Sequence, residues 1–580
     1  MDVVECREIR SGGRALGNLI SFCGIFVLIF IAWIFSEDRR RFPWRVVIWG
    51  IALQLVFGFL VLYWEPGSRF FLKLNDVFNS LLAFSREGAL FVFNSVGASD
   101  STGEIPLSLK EYLTRLGESS PDPLIQRAIA TGTVPGFFFA FQVLTTIIFF
   151  SALLSVLYYL GIMQKIVLLF AKIMAKTMRV SGAEALSNSA NIFVGQTEAP
   201  LVVRPYIERM TRSELMAIMV GGFANTAGGV LGAYIMMLSG YFPNIASHLI
   251  SASLLSAPAA FIFAKVLVPE RGQPLTSGDV KFDVPIEDAN LVDAAANGTS
   301  IGWQLAINVG AMLVSFVALI ALANVGVSWI GSLFHSNAGL LRFDLMAVAA
   351  LGALYLILQR RAPSENESWV LLAGVLALYG LAKLAAPAYA GTIGLVGFAF
   401  WLPAFFYSGG LKRPGRAIWG TVLGIAIVGN VAYLAFGPLA GDTKLSLQLL
   451  LGWMHWPIAL IIGVPVSECL TVAKFLGEKL ILTEFVAYLD LANYLGQAAR
   501  GEVPGLSPRS LVLLTYALCG FSNFASIGIQ IGGIAPLAPG RRQELARLGL
   551  KAMVGGALAT FMIACIAGTY FTGHSMLGLK

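Results

Sequence analysis

Charge is what this sequence has least of. Only 13% of its 580 residues are Asp, Glu, Lys or Arg, against 57% hydrophobic, whereas a soluble chain carries about 25% charged residues. So little polar side chain cannot cover a globule of this size, and lipid must solvate much of its surface. Cysteine is sparse too: Cys6, Cys23, Cys469, Cys519 and Cys565 are scattered, with no C-x-x-C pair. They read as small buried hydrophobes. Four histidines, His248, His335, His455 and His574, lie far apart, without the spacing of a zinc site. An intramembrane enzyme would need acid, nucleophile or metal groups clustered at an interface. The chain has neither an H-x-x-x-H pair nor an aspartate-rich loop at a membrane edge, so no catalytic residues are expected. Nor does the net charge of +7 suggest nucleic acid. The Lys and Arg residues stand in short clusters between apolar runs, as orientation signals do.

What is present is a series of apolar runs, each near the roughly 20 residues that cross a bilayer. They fall near 17–35, 46–63, 137–160, 213–239, 247–268 and 301–330, then near 344–358, 369–386, 390–407 and 417–440. Three more fall near 448–465, 508–533 and 552–573. The first ends in Ser-Glu-Asp-Arg-Arg-Arg rather than a small-residue cleavage site, and reads as a retained helix. The expected fold is all-α and polytopic. Its parts are N-terminal membrane helices (1–63), an extracytoplasmic or interfacial amphipathic segment (64–135), a first repeat (136–335), an inserted bundle of about four apolar segments (336–445) and a second repeat (446–580).

Basic residues near helix ends face the cytoplasm. The clusters Arg39–Arg45, Lys165–Arg179, Arg204–Arg212 and Arg541–Lys551 all obey this only under one condition. The segment 180–203 and another near 461–480 must each enter the membrane and return, opening to opposite sides. Two re-entrant helical hairpins are therefore expected.

The segment NIFVGQTEAP at 191–200 places Gln196, Thr197 and Glu198 between two helix breakers, Gly195 and Pro200. A glutamate among apolar runs must face protein or a water-filled cavity. Broken helices at membrane depth are tolerated where they line such a cavity. The segment GFANTAG at 222–228 carries glycines and an Asn-Thr pair inside an apolar span. The second half repeats the plan, with Thr483-Glu484 and then GFSNFAS at 520–526. Gly, Phe, Asn and Ala recur in register, which points to inverted repeats with two unwound membrane helices and a site where the halves meet.

With these stretches, SALLSVLYYLGIMQ at 151–164, GEKLILTEFVAY at 477–488 and TYALCGFSNFAS at 515–526, the chain resembles the concentrative nucleoside transporter family over roughly 20–335 and 446–573. The resemblance implies a trimer that imports nucleosides across the plasma membrane (the inner membrane of a bacterial cell) by symport with a cation. It implies that Gln196, Thr197 and Glu198, helped by Val230, meet the nucleobase, with Phe521 on the base side. Glu484, Asn523 and Ser526 would hold the ribose hydroxyls. A sodium ion would be held at Asn191, Val194, Thr197, Asn225 and Thr226, partly by backbone carbonyls; no organic cofactor is implied. Two positions depart from the family pattern: Asn225 stands where Ser or Thr is usual, and Thr483 where Asn is expected. Segment 336–445 has no family counterpart and reads as a lipid-facing or oligomer-facing bundle. A proton carried on Glu198 is the alternative to sodium.

Overall fold

A computed structural model describes residues 3–93, 139–276, 288–334 and 446–572, and every regular element among them is helical. The four apolar segments expected within 336–445 lie outside the described residues, as do residues 94–135 of the amphipathic segment. The first half runs α1 (Val3–Ile34), α2 (Trp44–Gly58, continued by a π turn Phe59–Tyr63), α3 (Glu65–Phe93), α4 (Phe139–Tyr159) and α5 (Ile162–Met178). Next come α6 (Gly182–Ala190), a 3₁₀ turn Ala199–Val203, α7 (Arg204–Ile207), α8 (Arg212–Ala224), α9 (Gly228–Leu238), α10 (Ile245–Leu267) and α11 (Leu291–Phe334). The second half runs α12 (Leu447–Ile461), α13 (Cys469–Ile481), α14 (Glu484–Ala499), α15 (Pro508–Leu518), α16 (Phe524–Ile534) and α17 (Arg542–Thr569).

Among the described residues, seven stretches are long and apolar enough to cross a membrane: Ala15–Ile34, Trp44–Tyr63, Ala140–Tyr159, Arg212–Leu238, Ile245–Leu267, Leu291–Ser328 and Pro539–Thr569. They coincide with the runs read from the sequence. The run at 508–533 is instead two short helices, α15 and α16, with a break between them. The run at 213–239 is broken as well, between α8 and α9.

The chain divides into two units. One comprises Met1–Ser315, Ile461–Val464 and Glu478–Lys580; the other comprises Phe316–Leu460 and Pro465–Gly477. Within the first unit α17 is the hub, packed on α1, α8, α10, α15 and α16. Its glycines explain how. A Cβ at Gly555 would lie 3.0 Å from Val220 of α8 and from Leu267 of α10, so helices approach where the side chain is absent. The apolar window of α8–α9 is 94% buried within the protein, and that of α4 only 28%. A helix apolar on every side belongs inside, which puts α8–α9 at the core and α4 at the periphery. In the second unit Asn324 ties α11 to the start of α12, accepting from Leu447 N (2.8 Å) and donating to Gln448 (3.1 Å).

The segment 181–207 carries α6 and, past a non-helical stretch, the 3₁₀ turn and α7. Ser181 and Glu184 form a capping box that starts α6, which ends at Ala190 and packs against the turn Ala199–Val203. A second capping box, Thr211 with Glu214, starts α8. The two boxes are joined, because Ser181 Oγ donates to Glu214 Oε1 at 2.6 Å. Lys265 closes the cluster with its ammonium 2.7 Å from Glu184 and 3.1 Å from Ser213 Oγ. In the second half α13 runs on to Ile481 and only Leu482 and Thr483 separate it from α14, beyond the 461–480 limits read from the sequence.

Several of the basic clusters expected on one side do share a face. Glu37, in the α1–α2 loop, receives Arg212 and Lys551, each at 2.9 Å. Arg212 also reaches Glu544, which pairs with Arg541 at 2.7 Å. Arg45 donates to Thr177 O at 3.1 Å, bringing the α5 cluster to the same end. The Arg212 guanidinium and the Lys551 ammonium hold the Glu37 carboxyl down at about 2, against a desolvation that works the other way.

Candidate functional site

The two helix breaks meet. Asn225 caps the C-terminus of α8, and Ala227 precedes α9; Cys519 caps α15, and Asn523 caps the N-terminus of α16. Across the gap, Gly520 N donates to Thr226 Oγ1 at 2.8 Å and Ser522 Oγ donates to Phe223 O at 2.8 Å. Gly520 has φ +96°, and a Cβ there would sit 2.5 Å from Ala224 O, so only glycine permits the crossing. Each break thus satisfies backbone groups freed by the other, the condition for non-helical chain at membrane depth.

Beside the crossing lies a cavity of about 590 Å³, lined by the non-helical stretch at 193–198, the α9 start, α4, α11, the α14 start and the α15–α16 break. All eight residues expected to touch substrate, Gln196, Thr197, Glu198, Val230, Glu484, Phe521, Asn523 and Ser526, are in its wall. The volume falls within the range of about 300–1,000 Å³ usual for small-molecule sites.

Glu484 is 3% exposed, at the first position of α14, where the positive end of the helix dipole favours a carboxylate. Tyr234 OH donates to its Oε1 (3.0 Å) and Asn523 Nδ2 to its Oε2 (2.8 Å). Each oxygen keeps a further lone pair, so the carboxylate can accept two more hydrogen bonds from a ligand. Tyr234 is itself locked, stacked on Tyr488 with ring centroids 4.4 Å apart. Asn523 spends both ends of its amide, since its Oδ1 also accepts Ser526 N at 2.8 Å. It therefore orients Glu484 and starts α16.

On the opposite wall Thr197 Oγ1 donates to Glu198 Oε1 at 2.9 Å. Glu198 Oε2 is buried and has no hydrogen-bond partner among the described residues. A Cβ at Gly195 would collide with that oxygen, so glycine there leaves room for the carboxylate. Gln196 bridges the halves: its Nε2 reaches Ser526 Oγ (3.4 Å) and its Oε1 accepts from Gln530 Nε2 (3.1 Å). Gln530 in turn donates to Met219 O at 3.1 Å.

Of the residues expected at an ion, Val194 and Thr197 line the cavity, while Asn191, Asn225 and Thr226 are buried and do not line it. The Asn225 amide is already engaged, donating to Gly221 O (3.1 Å) and accepting the Ser256 hydroxyl. Tyr234, Gln530 and Ser256, polar residues on largely apolar helices, were not singled out from the sequence. Gln304 and Asn308 of α11 and Ser151, Ser155 and Tyr158 of α4 add further polar lining. A polar group inside an apolar span is the signal that could have found them.

A multi-pass helical membrane protein, with a mostly apolar cavity carrying a few buried polar side chains where two broken helices cross, has the layout of a transporter. Comparison with known proteins specifies it. The family model for the Na+ dependent nucleoside transporter C-terminus matches residues 248–356 and 418–568, and that for its N-terminus matches 23–96. A nucleoside-recognition Gate model matches 140–241. The chain is 32% identical to the uncharacterized transporter YutK of Bacillus subtilis (strain 168), covering 94% of this chain and 98% of that one. It is 31% identical to sodium/nucleoside cotransporter 1 of Mus musculus over 96% of this chain, spanning 64% of that longer protein. Among solved structures it is similar to CNTnw in an inward-facing substrate-bound state: TM-score 0.64, 32% identity, 96% of this chain and 98% of that one. The chain belongs to the concentrative nucleoside transporter family. It is a transporter, not an enzyme.

Proposed function

We propose that this protein imports nucleosides by symport with sodium, as a homotrimer in the plasma membrane, the inner membrane of a bacterial cell. The observation that carries the reading is Glu484, a buried carboxylate oriented by Tyr234 and Asn523 in a cavity of nucleoside size. A vicinal diol offers the two donors such a carboxylate accepts, and charge-assisted bonds of this kind are about twice as strong as neutral ones. Across the cavity Gln196 and Glu198 supply amide and carboxylate groups for a base edge. Phe521 and Val230 supply the apolar contact.

For the ion, the carbonyls of Asn191 and Val194 accept no hydrogen bond among the described residues. Those of the intervening Ile192 and Phe193 are taken by Ser253 and by Gly228 N. With Thr197 Oγ1, and with the lone pair that Ser256 leaves on the Asn225 amide oxygen, the Asn191 and Val194 carbonyls would make an all-oxygen donor set, which suits a hard cation.

A proton-coupled version is favoured by a single feature, the unpartnered Oε2 of Glu198. Radiolabelled nucleoside uptake into proteoliposomes, with sodium and proton gradients imposed separately, decides between them. Uptake should follow the sodium gradient and stop when it is dissipated. Full uptake without sodium, rising as external pH falls, would transfer the coupling to protons. Efficient transport of free nucleobases would refute the ribose role of Glu484.

A further inference from the structure

Lys479 is wholly buried in the last turn of α13, against Thr560 of the candidate membrane span Pro539–Thr569. Its ammonium makes three hydrogen bonds: to Ala517 O (2.8 Å), to Cys519 O (3.0 Å) and to Thr560 Oγ1 (2.9 Å). An ammonium has three donors, and all three are used on oxygens. Two of those oxygens are backbone carbonyls at the end of the broken helix α15, of which Cys519 is the C-cap. The negative end of a helix dipole, with its unsatisfied carbonyls, is where a cation belongs. Among the described residues no carboxylate hydrogen-bonds the ammonium, although the Glu484 charge acts on it from farther away, so the nest itself is made of neutral oxygens, as a site for a free monovalent cation would be.

The first repeat has the same broken helix and the same Thr-Glu pair but no such side chain. At the end of α8, capped by Asn225, no lysine or arginine donates to the backbone among the described residues. The residue standing before Thr197-Glu198 as Lys479 stands before Thr483-Glu484 is the apolar Phe193. A charged side chain in an apolar setting is costly and marks function by default. Leaving three oxygens around an empty hole is costly too.

We infer that Lys479 is a tethered cation: its ammonium fills, in the second repeat, a monovalent-cation site at the end of α15, and removing the side chain turns that nest into a binding site for a free small cation. On this reading the two repeats are chemically asymmetric. The first end is left for an exchangeable ion, while the second is permanently occupied by a covalently attached one. Lys479 is then a positioning residue, holding the α15–α16 break that presents Phe521 and Asn523 to the cavity. The comparison between repeats leans on the ion site proposed above, but the three-oxygen nest stands without it.

The test uses purified full-length protein and does not depend on which ion drives uptake. Thermal melting and nucleoside binding are measured for the unmutated protein, Lys479→Ala and Lys479→Met, in N-methylglucamine chloride and with added ammonium, methylammonium or potassium chloride. Lys479→Ala should melt lower and bind nucleoside at least about tenfold more weakly, since about 1.4 kcal/mol corresponds to tenfold. Both defects should be relieved saturably by one of the small cations. Lys479→Met, which fills the space without charge, should show a defect that no added cation relieves, and the unmutated protein should not respond. Lys479→Ala that folds only when ammonium is present also supports the inference. It is overturned if no small cation restores Lys479→Ala, if Lys479→Met responds equally, or if Lys479→Met binds nucleoside as the unmutated protein does. Failure of both variants to fold even with ammonium overturns it as well.

Discussion

Replacing Glu484 by glutamine keeps its shape and removes its charge, and the structure dictates how the amide must sit. Asn523 Nδ2, 2.8 Å from Glu484 Oε2, can only donate. The new amide oxygen must therefore face Asn523, which turns the NH2 toward Tyr234, whose hydroxyl has to reverse and accept. Two losses follow for a bound diol. Hydrogen bonds to a charged group contribute about 1.5–3 kcal/mol against about 0.5–1.5 for neutral ones, so each ribose hydroxyl loses about 1 kcal/mol. In addition, one of the two acceptor positions becomes a donor, which adds about 1–2 kcal/mol. The sum, about 3–4 kcal/mol, is roughly a 140- to 700-fold loss for a ribonucleoside at 1.4 kcal/mol per decade. A 2′- or 3′-deoxynucleoside makes half of these contacts and should lose only about 10- to 30-fold. Initial uptake rates of uridine, 2′-deoxyuridine and 3′-deoxyuridine into proteoliposomes, compared for Glu484→Gln and the unmutated protein, read this difference directly. Equal proportional losses for all three would refute the assignment of Glu484 to the ribose.

Three further outcomes are expected. Gly195→Ala places a methyl on the Glu198 carboxylate; transport should fall at least about tenfold, as for loss of one charge-assisted bond, with the melting temperature nearly unchanged, and full transport would show that Glu198 need not occupy its place. Asn225→Ser, still able to bond Gly221 O or Ser256, should preserve coupling, whereas Asn225→Ala should raise the sodium concentration needed for half-maximal uptake more than it alters nucleoside choice; an identical sodium dependence in both variants would remove Asn225 from the ion site. Glu37 has a folded pKa of about 2 against an ordinary 4.5, so its contribution is complete above pH 4.5 and lost as pH falls through about 2; Glu37→Gln should flatten that part of the melting-temperature profile and cost about 1 kcal/mol or less at pH 7, and an unchanged acid limb would mean that the pairs with Arg212 and Lys551 contribute nothing.

Much of the cavity wall was legible in the sequence because its residues come in short contiguous motifs at helix breaks. Gln196, Thr197 and Glu198 stand between Gly195 and Pro200, and Phe521, Asn523 and Ser526 cluster at the α15–α16 break. Breakers beside polar groups in an apolar chain are a local signal, and locality is what a sequence preserves. The residues that hold these groups were not legible for the converse reason. Tyr234 meets Glu484, Gln530 meets Gln196 and Ser256 meets Asn225 only after chain segments far apart in sequence have packed together. Asn523 shows the same limit in another form. It lies in the cavity wall as expected, but the bonds its amide makes to Glu484 and to Ser526 N could not be read from its motif. Lys479 lay inside a quoted motif, yet its role depends on three oxygens from α15, Cys519 and α17. The break between α13 and α14 falls at Leu482–Thr483, later than composition suggested, because an N-capping threonine rather than a glycine or proline ends the apolar run.

The same long-range contacts explain why one site serves both halves of the molecule. A helix broken in the membrane exposes carbonyls at one end and amides at the other, and each repeat satisfies only part of its own. Thr226 of the first break caps Gly520 N of the second, and Ser522 of the second caps Phe223 O of the first. Beside that crossing, Gln196 from the first half is held by Ser526 and Gln530 of α16, while Glu484 from the second half is held by Tyr234 of α9. Gln196 and Glu484, two polar groups of the cavity wall, are thus oriented in part by the opposite repeat. A ligand that pulls on Glu484 loads α9, and one that pulls on Gln196 loads α16, so occupancy bears on both breaks at once. Tyr234→Phe removes one of these cross-repeat bonds without changing packing. It leaves Glu484 with a single protein donor, which ties the fixed orientation of the carboxylate, and with it the discrimination between ribose and deoxyribose, to a residue of the other repeat.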